Sequence, residues 1–312
     1  MPRADRDPAT WLLFLVPSFI WGTTWLVIKF QLGVVAPEAS VAYRFGLAAA
    51  LLFGWCALRR IPVRFDLATH VAVAATGILQ FGLNYVLVYL AEGRLTSGLV
   101  AVVFSLMVAW NIAGDRLLFG TPVTGAVVAG AALGIAGVAL VFWPKLAGAA
   151  SAPGDTAGLL LAVVGSLVSS AANLASQRLY SRGVGVVPGM AWGMAYGAIA
   201  VALSCAARGI PFGFDGSAPY LLSLSYLAVL GSVFAFFSYL SLIRRVGAGR
   251  AGYTAAVIPV LAMLTSTVFE GYRWTALALA GMALVAAGTV LVVRSRSAAP
   301  RAAPARAAER VG

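Results

Sequence analysis

Charged residues are scarce along this chain of 312 residues, and acidic ones are the scarcest. Only 10% of the residues are charged and 61% are hydrophobic, whereas a soluble domain is about 25% charged and about 45–50% apolar. The composition therefore excludes a soluble globular fold and predicts an integral membrane protein. Lys and Arg outnumber Asp and Glu by 22 to 10, but they are scattered between long apolar runs. No nucleic-acid partner is therefore predicted.

Cysteine and histidine are almost absent, at two and one residues. Cys56 and Cys205 are predicted near opposite membrane faces, where they cannot form a disulfide. The histidine, His70, lies at the edge of a loop, and no cysteine–histidine spacing suggests a metal site. No nucleophile–base pair or catalytic pair of aspartates is apparent either. We therefore predict no metal, no cofactor and no enzymatic activity.

Long apolar runs are the dominant feature of the sequence. A membrane-spanning helix needs roughly 20 mostly apolar residues, and lipid offers no hydrogen-bond partners to an open backbone. The runs predict an all-α membrane protein with ten transmembrane helices. The predicted spans are 11–30, 38–58, 70–91, 95–114, 121–143, 157–178, 185–207, 219–243, 249–269 and 273–293.

The basic residues predict the direction of these spans, because cytoplasmic loops are enriched in Lys and Arg. With a cytoplasmic N-terminus, only Arg94, Lys145, Arg208 and Arg273 fall in outer loops. Lys29 and Arg44 lie near outer ends, and the other sixteen of the 22 basic residues lie on the inner side. Both termini are therefore predicted to be cytoplasmic, in a bacterial-type inner (plasma) membrane. Residues 1–10 form the N-terminal segment, and 294–312 form a disordered Ala/Pro/Arg-rich tail.

An internal repeat divides the chain into two halves. Residues 130–141, GAALGIAGVALV, align with residues 281–292, GMALVAAGTVLV, with glycine at the first and eighth positions. The halves are predicted at 11–143 and 157–293, joined by an outer linker at 144–156. Five spans per half make the repeats inverted, a feature of many secondary transporters whose sites lie between the halves. Glycines such as Gly130 and Gly134 are predicted to serve close helix packing.

The chain resembles the drug/metabolite transporter superfamily, in its ten-span branch with two EamA-type repeats. The resemblance covers about residues 10–293. It is carried by WGTTWLVIK in the first span, by Pro37 and Arg44, and by AGRAGYTAAVIPVLAMLTSTVFE followed by Gly281 and Gly288. It implies export or exchange of small metabolites. Aromatic amino-acid exporters are members with a similar length and layout, so the resemblance also suggests that class of substrate.

One departure from the repeat concerns the fourth and ninth spans. The second half carries Pro259 and Glu270, whereas the matching positions of the first half hold Val108 and Phe119. A functional site here need not be symmetric. Pro259 removes a helix hydrogen bond and is interpreted as a kink, serving either gating or structure alone.

Ionisable residues inside a membrane are candidates for function. Lys29 and Arg44 are predicted to reach the outer surface, to pair with Glu38 or Glu270, or to bind a substrate carboxylate. No carboxylate is predicted near the midplane, which argues against a proton-coupled exporter of cationic drugs. Two cations are too few for a sugar-phosphate or nucleotide carrier. The expected substrate is therefore neutral or zwitterionic, and its own gradient or exchange is expected to drive transport.

Uncharged polar residues fall on helix faces that avoid lipid. Spacings of i, i+4, i+7 and i+11 place four on one face of the sixth span, and the third span carries two more one turn apart. Such faces either line a cavity or bond between helices. The substrate-binding candidates of these and neighbouring spans are Gln80, Asn84, Trp110, Asn111, Ser170, Asn173, Gln177 and Tyr253, with Ser166 on the sixth-span face.

The stretch SFIWGTTWLVIKF, residues 18–30, places Trp21 and Trp25 on one helix face. Trp25 is interpreted as an interfacial anchor or a substrate contact, and Trp21 as deeper, beside Gly22, where a helix or a ligand can approach. The face ends at Lys29, which would suit the body and carboxylate of an amino acid. Further aromatic residues predicted to line a cavity are Trp110, Trp192, Phe234, Phe237 and Tyr253.

These observations predict a membrane transporter that works by alternating access on a small-molecule substrate. The predicted substrates are amino acids, including aromatic ones. The alternatives are an exporter of neutral sugars or drugs, or a passive channel. The predicted partners are the substrate and the lipid bilayer. The sequence does not predict an oligomeric state.

Overall fold

The computed structural model describes residues 7–147, 154–246, 251 and 253–298. These residues form ten helical segments and no β-strand. The bounds are α1 Pro8–Lys29, α2 Pro37–Leu58, α3 Leu67–Glu92, α4 Ser97–Phe119, α5 Gly125–Leu146, α6 Asp155–Ser181, α7 Val186–Ala207, α8 as Ala218–Ser225, Tyr226–Phe234 and Ala235–Val246, α9 Thr254–Phe269 and α10 Ala276–Ala298.

Nine of the segments that the structure describes are long and apolar enough to cross a membrane, and α9 is a shorter apolar helix. The predicted start of the ninth span, at 249–250, lies outside the described residues. So do residues 1–6 of the predicted N-terminal segment, 148–153 of the predicted linker and 299–312 of the predicted tail. The all-helical architecture is confirmed, whereas the orientation of the termini stays a prediction.

Local sequence signals explain where helices begin and end. Asp7 and Asp66 cap α1 and α3, because their carboxylates accept hydrogen bonds from the backbone amides of Ala9 and Thr69. Helix α4 ends at Gly120, whose φ of 66° is the left-handed conformation that glycine adopts without penalty. These signals keep the connections short, so consecutive helices run in alternating directions.

Helices α5 and α10 pack against each other through the glycines of the repeat. A Cβ atom on Gly137 would lie 2.5 Å from the carbonyl oxygen of Gly281, and one on Gly130 would lie 2.7 Å from that of Gly288. Position 130 corresponds to 281 in the repeat and 137 to 288, so exchanging the halves turns one contact into the other. This reciprocity is what two inverted repeats produce. The predicted role in close packing is confirmed for Gly130, Gly281 and Gly288, whereas a Cβ on Gly134 would meet no atom within 4 Å, so the prediction was wrong for that side of the helix.

The remaining eight helices surround the space between the halves. Contacts join α2 to α7, α1 to α9 and α8, and α6 to α3 and α4. Helices α3 and α8 occupy equivalent places in the two repeats, and both contain a π-helical segment, at Ile78–Leu83 and Tyr226–Phe234. A π-helical segment widens the helical turn and is frequent at functional sites. Phe81 and Gly82 of the first segment and Gly231 and Ser232 of the second are buried.

Ion pairs define the two ends of the helix bundle. At one end, named here the Lys29 end, Lys145 pairs with Asp155 and Arg208 pairs with Glu38. At the opposite end, the Asp7 end, Asp7 pairs with Arg245. The two buried cysteines lie at opposite ends of the bundle. Cys205 lies one turn before Arg208, at the Lys29 end, and Cys56 lies at the end of α2 that is far from Glu38. Both cysteines are free, as predicted.

Candidate functional site

A central cavity of about 910 Å³, including its open mouth, lies between the two halves. Helices α1 to α4 line it from the first repeat, and α6, α8 and α9 line it from the second. Its walls are mainly aromatic and apolar, with a few polar groups, which is the usual composition of a small-molecule site. The lining residues are Trp21, Thr24, Trp25, Ile28, Arg44, Gln80, Asn84, Tyr85, Val88, Ala101, Phe104, Ser105, Met107, Val108, Ser169, Phe236, Ala255, Ile258 and Pro259.

Trp21 is held in the cavity wall by α8. Its indole Nε1 donates to the backbone carbonyl of Gly231 at 3.2 Å, and its ring meets Phe236 edge-on with centroids 5.1 Å apart. Gly231 belongs to the π-helical segment of α8, so this segment positions the indole. Such edge-to-face contacts add about 0.5–1.5 kcal/mol to simple burial. The ring is therefore a fixed part of the wall.

Trp25 lies one turn further along α1 and also faces the cavity. Its ring packs against Phe104 of α4, with centroids 5.1 Å apart. This placement favours the cavity interpretation of Trp25 over the interfacial anchor. On the intervening residues, Thr24 donates its hydroxyl to the carbonyl of Trp21 at 2.8 Å, a bond within the helix. Gly22 permits close approach of α9, since a Cβ there would lie 2.6 Å from the Cβ of Leu261.

Arg44 is the one cation among the residues that line the central cavity. Its side chain is 1% exposed, and its guanidinium lies over the rings of Tyr85 and Phe45, at 4.6 and 5.1 Å from their centroids. Its Nε donates to Ser232 Oγ of α8 at 3.3 Å. Its Nη1 has no hydrogen-bond partner among the described residues. Arg44 therefore presents a buried, incompletely paired positive charge to the cavity.

This placement corrects one of the predicted pairings. Arg44 was expected at the outer surface or beside Glu38 or Glu270, but Glu38 binds Arg208 at 3.2 Å instead. Glu270 binds Lys29 at 3.4 Å, which is one of the predicted ion pairs. The guanidinium of Arg44 is more weakly hydrated than an ammonium and stacks on aromatic faces, so it can remain inside.

Gln80 and Asn84 line the same cavity from the π-helical region of α3. Asn84 is 3% exposed, and its Nδ2 donates to the backbone carbonyl of Gln80 at 3.4 Å. Gln80 Oε1 and Asn84 Oδ1 are both buried and accept no hydrogen bond from the part of the chain that the structure describes. Two acceptors and one donor atom of Arg44 thus lack partners in one cavity.

A charged cluster lies next to the cavity at the Lys29 end. Lys29 Nζ donates to the backbone carbonyls of Glu92 and Leu95 at 2.5 and 2.6 Å, besides pairing with Glu270. Both carboxylate oxygens of Glu270 accept from the backbone amide of Ser97, at 3.1 and 3.0 Å, at the start of α4. A carboxylate at a helix N-terminus is stabilised by the helix dipole. The cluster therefore ties α1, α4 and the ends of α3 and α9 together.

A second cavity of about 960 Å³ lies nearer the Asp7 end. Asn173 and Gln177 of α6 line it, together with polar groups of α3 and α8. Gln80 and Phe236 line both cavities, so they stand at the boundary between the two. Asn173 also bonds across to α4, where its Nδ2 contacts Met107 Sδ at 3.3 Å.

The remaining candidates bond between helices or face elsewhere. Trp110 Nε1 donates to Ser166 Oγ at 3.0 Å, and Ser170 Oγ donates to Asn111 Oδ1 at 2.7 Å. These bonds join α4 to α6, so this part of the sixth-span face follows the interhelical alternative. Tyr253 precedes α9 and does not line either large cavity.

Three aromatic residues predicted to line a cavity point elsewhere. Phe234 and Phe237 are exposed on the outside of α8, at 55% and 59%. Trp192 packs against Phe53 and His70, and its Nε1 donates to the carbonyl of Val63 near the Asp7 end. The prediction for these three residues was wrong.

Sequence reasoning missed Tyr85, Phe104, Ser169 and Phe236 as lining residues of the central cavity. Phe104 lies in an apolar run without a polar pattern, and Phe236 lies between Phe234 and Phe237, from which sequence spacing did not distinguish it. Tyr85 was detectable, because it directly follows Asn84, the polar candidate of the same helix.

Comparison with known proteins identifies the family. Residues 9–143 and residues 156–294 each match the EamA-like transporter family. The chain belongs to this family. Its described residues form ten helical segments, and because EamA-family members are transporters and not enzymes, the chain is a multi-pass membrane protein of a transporter family.

Curated relatives cover most of the chain. An uncharacterized inner membrane transporter, YedA of Escherichia coli (strain K12), is 28% identical over 274 residues, covering 85% of this chain and 86% of the relative. An uncharacterized transporter of Archaeoglobus fulgidus is 22% identical over 296 residues, covering 92% of this chain and 99% of the relative. A protein crystal structure superposes with a TM-score of 0.68 at 22% identity, over 93% of this chain and 99% of the other, which supports the fold alone.

Proposed function

We propose that this protein exports or exchanges small zwitterionic metabolites across the inner membrane by alternating access, and that amino acids with aromatic side chains are its substrates. The observation that carries the proposal is Arg44. Its buried guanidinium faces the central cavity and lacks a partner for Nη1 among the described residues. A buried cationic donor without a hydrogen-bond partner costs free energy, and a substrate carboxylate that accepts from Nη1 would remove that cost.

The other cavity walls suit the apolar part of such a substrate. Trp21, Trp25, Phe104 and Phe236 contribute aromatic rings to the cavity wall. Aromatic rings prefer edge-to-face or offset contacts with one another, so a fifth ring is a favourable guest. Inner membrane location is proposed here from the printed name of the relative YedA and from the bias of basic residues.

Alternating access is supported by the arrangement of the two cavities. They lie on either side of Gln80 and Phe236, between inverted repeats. At the Lys29 end, the cluster of Lys29, Glu270 and Ser97 holds three helices together. Release of this cluster would open the central cavity towards that end, and rocking of inverted repeats about a central site is the usual way transporters do so.

Counterflow in proteoliposomes tests the proposal. Liposomes containing purified protein are loaded with unlabelled phenylalanine, and accumulation of external labelled phenylalanine is followed without an ion gradient. We expect transient, saturable accumulation, with weaker signals for aliphatic amino acids. Protein-free liposomes give the background, and gel filtration with a thermal melt shows that the protein is folded.

Absence of counterflow for every amino acid, with folded protein, would contradict the substrate assignment. The same liposomes loaded with neutral sugars or with neutral drugs then test the alternative substrates. A flux that rises in proportion to concentration without saturation, together with single-channel conductance, would indicate a passive channel instead.

A further inference from the structure

Two hydrogen-bond acceptors in the central cavity would still lack donors if a substrate carboxylate bound to Arg44 as proposed. Gln80 Oε1 and Asn84 Oδ1 are buried and receive no hydrogen bond from any described residue. The side-chain nitrogen of Asn84, Nδ2, donates to the backbone carbonyl of Gln80 at 3.4 Å. The side-chain atom of Asn84 that lacks a partner is therefore the oxygen, Oδ1. An unsatisfied buried acceptor costs about 1–3 kcal/mol, so two of them next to a cavity call for donors from a ligand.

We propose that Gln80 and Asn84 form a subsite for the ammonium group of the substrate, opposite in role to the carboxylate subsite at Arg44. This inference rests on the proposed function and specifies the recognised group as an α-amino acid zwitterion. The ammonium of an amino acid carries three donor hydrogens and can satisfy both oxygens. A hydroxyl group carries one donor hydrogen and leaves one oxygen unsatisfied.

The charges in the cavity support a zwitterion over a plain amine or a plain acid. The described residues lining the cavity include Arg44 and no carboxylate, so a simple amine would place a second positive charge there without compensation. A simple carboxylic acid would neutralise Arg44 but leave both acceptors without donors. A substrate with both groups satisfies all three unpartnered sites.

The location on α3 gives the subsite a structural basis. Both residues lie at the π-helical segment Ile78–Leu83 and the residue that follows it. A π-helical turn changes the angular spacing of side chains, and here it directs residues 80 and 84 into one cavity. Gln80 also lines the second cavity, so the subsite lies where a substrate would pass from one cavity to the other.

A series of four compounds with one phenyl ring tests the subsite. Phenylalanine, 3-phenyllactate, 3-phenylpropionate and 2-phenylethylamine compete for counterflow of labelled phenylalanine. With the wild-type protein, we expect phenylalanine to compete best, and 3-phenylpropionate to compete about 10-fold or more weakly, because it lacks donors for two acceptors. The phenyllactate should fall between these two.

Replacement of the acceptors should remove the preference for the amino group. In Asn84→Leu and in Gln80→Leu, the ratio of phenylalanine to 3-phenylpropionate affinity should fall about 5-fold or more, with 3-phenylpropionate itself little changed. Asn84→Asp should shift the preference towards 2-phenylethylamine, because it adds a negative charge at the subsite. Ser223→Ala, a buried hydroxyl of α8 that bonds to its own helix, should leave all ratios unchanged.

The outcomes separate this inference from the proposed function. If the wild-type protein shows phenylalanine counterflow but neither leucine variant changes the ratio, the ammonium subsite is overturned and the amino-acid assignment stands. If the folded wild-type protein shows no phenylalanine counterflow, the proposed function itself fails. Should one leucine variant not fold, the other carries the test.

Discussion

The helix pairs α5–α10 and α3–α8 use the internal repeat in opposite ways. In α5 and α10, corresponding glycines meet reciprocally, and the contact is backbone against backbone. In α3 and α8, the repeat keeps the π-helical segments but changes the side chains. The first half supplies Gln80 and Asn84, whereas the second supplies the Gly231 carbonyl and Ser232 to Trp21 and Arg44.

This difference distinguishes the helices that form the scaffold, α5 and α10, from helices that contribute to the candidate site, α3 and α8. Packing by glycine needs the same residue on both helices, so symmetry is retained there. A small substrate has two unlike ends, so a cavity between the halves gains from different groups on each side. Here the polar groups without partners, on Arg44, Gln80 and Asn84, all come from the first half, while α8 of the second half positions Trp21 and Arg44.

The largest effect is expected from filling the α5–α10 contact. Gly137→Ala would place a Cβ 2.5 Å from the carbonyl oxygen of Gly281, and a backbone atom cannot yield as a side-chain tip does. Overpacking costs about 1–3 kcal/mol in ordinary cores, and more is expected here. A strongly lowered melting temperature, or loss of folded protein, should be seen in detergent.

Gly134→Ala is the matched control for that substitution. A Cβ on Gly134 meets no other atom within 4 Å, so the melting temperature should stay close to that of the wild type. Equal behaviour of the two variants would show that the glycine contact does not hold α5 against α10.

The next largest effect concerns a cavity residue and should change transport rather than folding. Trp21→Ala removes a ring that lines the cavity and packs against Phe236. The KM for phenylalanine should rise about 10-fold, while that for a small amino acid changes less. Trp11→Ala, on the exposed start of the same helix, should leave KM unchanged. A similar increase for both tryptophans would contradict a specific role for Trp21.

A smaller effect should distinguish two carboxyl groups of the Lys29 end. Glu270→Gln removes the ion pair with Lys29 and weakens the cap on Ser97, and should lower the free energy of unfolding by about 1–3 kcal/mol. Glu92→Gln should have little effect or a stabilising one, because both side-chain oxygens of Glu92 lack partners among the described residues. Chemical denaturation in detergent measures both, and equal losses would contradict this reading of the cluster.

The smallest effect is expected at the Asp7 end. Asp7 and Arg245 form an ion pair in which both side chains are more than a third exposed. Exposed pairs contribute about 0–1 kcal/mol, so Asp7→Asn should change the melting temperature little. A loss of stability as large as that of Glu270→Gln would show that the Asp7–Arg245 pair stabilises the protein as much as the Lys29–Glu270 pair does.

The fold was largely predictable because its causes are local in sequence. Apolar run length predicted the ten helices, and the recurring glycines predicted close packing by α5 and α10, although not that these two helices contact each other. The Lys29–Glu270 ion pair was among the predicted pairings. These features depend on composition or spacing, which a sequence displays directly.

The site was only partly predictable because its geometry depends on the π-helical segments. A regular helical period does not reveal an extra residue in a turn, so Phe234 and Phe237 were assigned to a cavity that Phe236 lines instead. For Arg44 the sequence left open a surface position, a pairing with Glu38 or Glu270 and a substrate carboxylate contact, since it could not show that Tyr85 and Phe45 stack on the guanidinium. Trp21, Trp25, Gln80 and Asn84 were selected correctly as residues of one cavity, while their role in binding stays a prediction.

Direct binding of labelled phenylalanine to purified protein in lipid nanodiscs tests the central claim, that Arg44 receives a substrate carboxylate in the cavity. The wild type is measured beside Arg44→Gln and beside Arg178→Gln, an exposed arginine of α6. The account predicts saturable binding for the wild type and Arg178→Gln, and affinity lowered at least about 10-fold for Arg44→Gln. Equal binding by all three folded proteins, or binding by none, would contradict it.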